Sequence, residues 1–170
     1  MGHGFSADIP VPNTNYQLLI MLQQSLSKLF ERDLGRVKTE LLAYPDESVM
    51  WQVQKQVNNS AGNLARHIAG NLQHFVGTVL NGSDYVRNRT SEFNDKNVPR
   101  EQVLAELDTT IDAVQASLAN LSDEQLAATY PIEVLGYPMT TEHFLLHLSG
   151  HLNYHLGQIS YHRRLLVNAS

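Results

Sequence analysis

Not one cysteine occurs among the 170 residues. That removes disulfides, a CxxC redox pair and any cysteine-based zinc site, and it fits a reducing compartment, the cytoplasm. Long apolar runs are missing as well. The longest, Leu18 to Leu22, is far below the roughly 20 residues that a membrane-spanning helix needs. Met1 to Pro12 lacks the basic start and apolar centre of a signal peptide. Positive charge is scarce: 12 Lys and Arg are dispersed and outnumbered by 17 Asp and Glu, for a net charge of −5. That balance argues against a nucleic-acid partner. Repeats and low-complexity tracts are absent. What remains, 42% apolar and 17% charged residues, describes a soluble globular chain of a length that suits one domain with a sizeable core. Any bound metal must be held by His, Asp or Glu.

Histidine is what the chain has. Five of its eight lie between residues 143 and 162, and four of these, His143, His147, His151 and His155, are spaced by four. A helix turns about 100° per residue, so steps of four climb one side of it. Relative to His151, the apolar residues Phe144, Leu148, Leu152, Ile159 and Leu166 fall within roughly 20–100°. His155 lies inside that arc and His151 at its edge, whereas His147 and His143 fall about 40° and 80° outside. The inward pair is therefore His151 and His155. Two imidazoles at i and i+4 sit close enough to reach one metal ion. A pair alone is also compatible with ordinary packing, so a third ligand is required.

The remaining pattern is helical. Residues 1–13 carry Gly2, Gly4, Pro10 and Pro12 and read as an irregular lead-in to a domain spanning 14–170. Leu18, Leu22, Leu26, Leu29 and Phe30, continuing through Leu34, Val37 and Leu41, predict a first helix from Asn13 or Thr14 to Pro45. Residues 45–59 read as a connector, with Trp51 as a plug over one end of the core. A second helix runs from about Ser60 to Leu80 and is closed by Asn81-Gly82. Its inward stripe is Leu64, Ile68, Asn71, Phe75 and Val79, with His67 on the edge and His74 further along the same line. Gly62, Gly70 and Gly77 lie near one face and suggest a close approach to another helix. Residues 83–99 form a polar connector. In it Arg87, Arg89 and Glu92 either grip an anionic ligand or tie the loop down by ion pairs, the second being preferred. A third helix follows Pro99, with Pro99 suited to its first turn and Val103, Leu107, Val114 and Leu118 on its stripe. Ser122 to Gln125 opens a short extra turn. Pro131 to Pro138 is an extended segment or a loop, and Gly136 favours a turn. Thr140 or Thr141 caps the fourth helix, which ends near Arg163 and Arg164. Four amphipathic helices with one long connection predict an all-α four-helix bundle, a fold whose core builds metal sites from facing helices.

Among the other histidines His67 is the best placed to meet His151 and His155, and His74 is its competitor. Three imidazoles leave at least one position open on a divalent ion, as catalytic sites do. Asn71, four residues after His67, and Gln158, three after His155, point toward the same cavity. There they either orient a bound water or substrate or make a core hydrogen bond. His162 is expected to be buried and hydrogen-bonded.

Residues 60–72 (SAGNLARHIAGNL) and 151–159 (HLNYHLGQI) resemble the two signatures of the DinB-like superfamily. Residues 87–93 (RNRTSEF) resemble the loop of a branch without an assigned activity. The resemblance implies an up-down-down-up bundle holding a divalent metal, zinc or nickel foremost and iron or manganese otherwise, on His67, His151 and His155. It also implies relatives that are thiol-dependent S-transferases using bacillithiol or mycothiol, and frequent homodimers. Two functions follow. One is a metal-dependent enzyme, an S-transferase or hydrolase, that takes a small-molecule thiol, with Arg87 or Arg89 receiving carboxylates. The other is a non-catalytic, metal-stabilised bundle that serves as a dimeric interaction module. A fourth ligand from His74 or His147 would favour the latter.

Overall fold

Leu26, Phe30, Leu34, Val37 and Leu41 are all buried, and their three- and four-residue spacing makes one apolar stripe down the first helix, α1 (Thr14–Leu42). The computed structural model describes residues 14–54 and 56–167, with side chains from residue 22 onward. The lead-in expected at residues 1–13 lies outside the described residues. After α1 the chain turns through a 3₁₀ segment, Glu47–Trp51. This segment buries Met50 and Trp51, so Trp51 does plug the core.

The second helix, α2, begins at Ala61–Leu72 and is capped by the Ser60 hydroxyl, which accepts from the Asn63 N–H. It does not stay α-helical. Gln73–Thr78 is a π-helical turn, and Val79–Asn81 completes the helix before Gly82 closes it with φ 68°. The extra residue of the π turn re-aims the side chains that follow.

The connector expected at 83–99 contains a short helix, α3 (Arg89–Asn94), with Asn88 capping the Ser91 N–H. The long helix α4 (Arg100–Asn120) places Pro99 at its N-cap rather than in its first turn. A capping box between Ser122 and Gln125 opens α5 (Asp123–Ala127). Residues 131–138 form a loop, closed by an antiparallel bridge between Thr129 and Thr140 and by Tyr130 N–H donating to the Met139 carbonyl at 2.8 Å. Gly136, with φ 83°, makes the turn within it. The last helix, α6 (Thr141–Val167), carries the histidine ladder.

Among the described residues the protein is all-α. Both α1 and α2 pack against α4 and α6 while hardly touching one another. The four long helices therefore surround one core, with α1 and α2 on a diagonal. This arrangement sets α2 beside α6, bringing their histidines together. No described helix is long and apolar enough to cross a membrane.

The close approach expected at the glycines is real, but connector side chains make it rather than a helix backbone. A Cβ on Gly62 would lie 2.7 Å from three carbons of the Trp51 ring, and one on Gly70 would overlap the Glu92 carboxylate. At Gly77 the nearest atom is the Ser83 hydroxyl oxygen, at 3.3 Å.

Candidate metal centre

His67 lies in the middle of α2, and its ring is buried between Phe93 on one side and the two α6 histidines on the other. His151 and His155 are half-buried on successive turns of α6. Their Nε2 atoms converge: His67 to His151 at 3.4 Å and His151 to His155 at 3.1 Å. Each of the three offers a ligand atom within 4.8 Å of the others.

The far side of two rings is fixed. His67 Nδ1 lies 2.9 Å from Glu92 Oε2, and Glu92 is itself clasped by Arg87, whose Nε donates to Oε1 at 2.7 Å and Nη2 to Oε2 at 2.9 Å. Burial opposes ionisation of Glu92. Hydrogen bonds from His67 and Arg87 and the Arg87 charge outweigh it, holding the carboxyl below its ordinary range. An ionised carboxylate only accepts, so His67 carries its proton on Nδ1 and presents the Nε2 lone pair inward. Arg87 Nη2 also lies 3.3 Å from that Nδ1; two donors face each other there, and Glu92 receives both. On α6, His155 Nδ1 lies 2.7 Å from the Gln158 carbonyl oxygen. The same tautomer follows, again with Nε2 bare.

This donor set fits a divalent cation. Burial, followed by the charge that His155, His67, His147 and Arg87 place nearby, lowers the His151 pKa to about 4. Burial lowers His155 as well, against the opposing hydrogen bond to Gln158. With the α6 pair neutral, His151 Nε2 can donate a proton to only one of two lone pairs that face it. A cation satisfies all three nitrogens at once, and three neutral imidazoles leave its charge uncompensated and a position free for an anionic ligand.

The other residues singled out in the sequence divide. Gln158 and Arg87 stand directly behind the histidines, Gln158 on His155 and Arg87 on Glu92. Arg89 is exposed, with its guanidinium over the Phe93 ring at 5.7 Å. Asn71 is buried one turn after His67, and its Oδ1 has no hydrogen-bond partner. His74 turns instead to the Phe75 ring. His147 is exposed and stacks on Phe144, and neither joins the three-histidine cluster. His143 is exposed at the start of α6. His162 is half-buried and doubly bonded, with Nδ1 2.6 Å from the Tyr44 hydroxyl and Nε2 2.9 Å from the Gln52 carbonyl. Glu92, which the sequence placed only in a loop-tying ion pair, is the further residue that the structure sets against the candidate site, on His67 Nδ1. The available signal was an acidic residue that follows Arg87 and Arg89 within five positions in a polar connector, opposite a helix that carries Gly70.

Among curated proteins no sequence matches this chain. The fold is similar to that of a conserved protein from Enterococcus faecalis, known from its crystal structure, with a TM-score of 0.66 and 18% identity, covering 85% of this chain and 96% of that one. At that identity the likeness speaks for the fold alone. The sequence model of the DinB superfamily matches residues 28–159, and the chain belongs to that superfamily.

Proposed function

We propose that His67, His151 and His155 hold one divalent metal ion, zinc or nickel foremost, and that the protein is a metal-dependent enzyme acting on a small-molecule thiol. The observation that carries this reading is the convergence of three Nε2 atoms, two of them with their Nδ1 protons already committed to Glu92 and Gln158. When bound, the ion supplies a Lewis acid that favours the thiolate form of a thiol. The chain's own residues do the rest. Glu92 and Gln158 keep two imidazoles in the ligating tautomer, and Arg87 holds Glu92 ionised. Phe93 and Tyr154 pack beside the rings. Exposed Arg89 is free to meet a carboxylate of the incoming thiol. In an S-transfer the thiol loses its proton to solvent as the thiolate forms. Its sulfur then bonds to an electrophilic carbon of the second substrate while the bond from that carbon to a leaving group breaks, the leaving group departing with the electron pair. Cobalt substitution followed by titration with bacillithiol, mycothiol, glutathione, coenzyme A and cysteine tests the reading. A thiolate-to-cobalt charge-transfer band with one of them is expected, and its absence with all of them overturns the thiol assignment.

A second reading, a metal-stabilised dimerisation module, draws on the outer side of α6. Leu146, Tyr154, Tyr161 and Leu165 are exposed there, and with Gly150 and Gly157 they fall within an arc of about 100°. A monomer that stays monomeric at high concentration in sedimentation velocity overturns it.

A further inference from the structure

Along the seam between α2 and α6 the contacts run in order. Leu64 and Gln158 share a cavity wall at one end. His67 meets His155 and His151 in the middle, with ring centroids 5.1 and 5.2 Å apart. Phe75 meets Phe144 at the other end, at 5.4 Å. The two helices are therefore antiparallel here, and Asn71 falls between the histidine cluster and the phenylalanine pair, one regular turn after His67.

The backs of two histidines are taken. Glu92 stands behind His67 and Gln158 behind His155, and the two nitrogens of an imidazole point away from each other across the ring. The Nε2 atoms thus face away from the connector and from the Gln158 end of the seam. The side left open is the one toward Phe75 and Phe144, and Asn71 is the polar residue of α2 on that side. A helical side chain leans back over the preceding turn, which carries the Asn71 carboxamide toward His67 and the cluster.

That carboxamide is unpartnered. Asn71 is only 7% exposed, its Oδ1 is sealed from solvent, and neither of its polar atoms bonds to a described group. A buried acceptor without a donor destabilises the protein, and leucine, of similar volume, would avoid that cost. The deficit closes when a bound ligand brings the donor. A metal-bound thiolate has no proton to give, so the donor sits elsewhere on the ligand, close to the sulfur. The charge of the ion opposes a cationic donor, as does Arg87, whose Nη2 lies 3.3 Å from His67 Nδ1. A secondary amide meets these conditions, because Oδ1 can accept its N–H while Nδ2 donates to its carbonyl.

We propose that Asn71 is a specificity-determining residue of the metal centre, selecting a thiol that carries a secondary amide close to its sulfur. The inference rests on the thiol reading above.

The test titrates the cobalt-substituted full chain with two thiols that differ in one group, N-acetylcysteamine and its ester isostere 2-mercaptoethyl acetate. The thiolate-to-cobalt band is the readout. The ester sets an oxygen lone pair where the amide has its N–H, so it is expected to bind at least about tenfold more weakly. Asn71→Leu is expected to bind the two thiols alike, with the amide weakened to the level of the ester, and to unfold at no lower urea concentration than the parent. Asn71→Ala should lose the discrimination in the same way. Equal affinity of the parent for both thiols, or a tenfold preference that survives in either variant, overturns Asn71's role and leaves the thiol reading standing. A cobalt-loaded parent that gives no band with either thiol overturns the thiol reading itself, and the role of Asn71 with it.

Discussion

The Glu92 carboxylate occupies the space that a side chain at Gly70 would fill, and from that position Glu92 accepts the Nδ1 proton of His67. One residue without a Cβ on α2 thus makes room for the group that orients a histidine one turn earlier on the same helix.

Replacing Gly70 with Ala is therefore expected to push Glu92 off His67. The helix itself should gain from the change, since alanine is favoured over glycine by about 1 kcal/mol in a helix interior. Metal affinity should fall by about 10–100-fold, the usual cost of losing an outer-shell partner. Glu92→Gln should give a loss of the same order without the steric insult. Competition titration against a zinc chelator reads both, and a Gly70→Ala protein of parental affinity would remove Glu92 from the site.

His151→Ala should abolish stoichiometric metal binding, because His151 Nε2 is the atom that both other Nε2 atoms approach. The helical circular dichroism should persist, since the ring is only half-buried. His143→Ala should keep full occupancy, its side chain being exposed at the helix start. Elemental analysis of protein purified without a nickel column decides both. Metal retained in the first variant or lost in the second would sink the ligand assignment.

Much of this was legible because helical phase is local. The apolar stripe on the last helix separates His151 and His155 from His143 and His147 with no knowledge of neighbours, and the Ser122 capping box and the Gly82 stop are written in adjacent residues. What lay behind the histidines was not legible. Whether Arg87 meets a ligand or Glu92, and whether Gln158 faces a substrate or His155, depends on where a connector docks and on which rotamer a side chain takes. The π turn at Gln73–Thr78 leaves no mark in apolar spacing either, and His74 within it meets the Phe75 ring rather than the three-histidine cluster. The three glycines announced close contact but could not say with what.

Acid should weaken the fold in part through Asp33, whose side chain is fully buried and whose carboxylate accepts from Arg32 at 2.8 and 2.9 Å and from Asn153 at 2.8 Å. Burial alone would raise its pKa. The hydrogen bonds from Arg32 and Asn153, with the charges of Arg32 and Arg36, overcome that and lower it. A carboxyl depressed in the folded state contributes stability above its unfolded pKa of about 3.9, and that contribution disappears as pH falls through the folded value. Denaturant unfolding of Asp33→Asn should thus show a deficit near neutrality that shrinks as pH drops below about 4. Asn153→Ala, which removes one of the bonds, should cost about 1 kcal/mol near neutrality. A pH-independent deficit for Asp33→Asn would mean that shape, rather than charge, is what the site requires.

The connector after α1 is anchored by Trp51, whose ring lies where a Cβ on Gly62 would stand at 2.7 Å from three of its carbons. That ring is the side chain of a residue only 7% exposed, so it has little room to retreat. Gly62→Ala is accordingly expected to destabilise the protein by about 1–3 kcal/mol, the range for overpacking a core, even though alanine suits the helix better. The interaction is testable as a cycle. Trp51→Leu alone should also destabilise, by opening a void beside Gly62. In the double variant the new methyl enters that void, so the two costs should fall well short of adding. Urea midpoints for the four proteins measure the coupling, and strict additivity would show that Gly62 and Trp51 do not constrain one another.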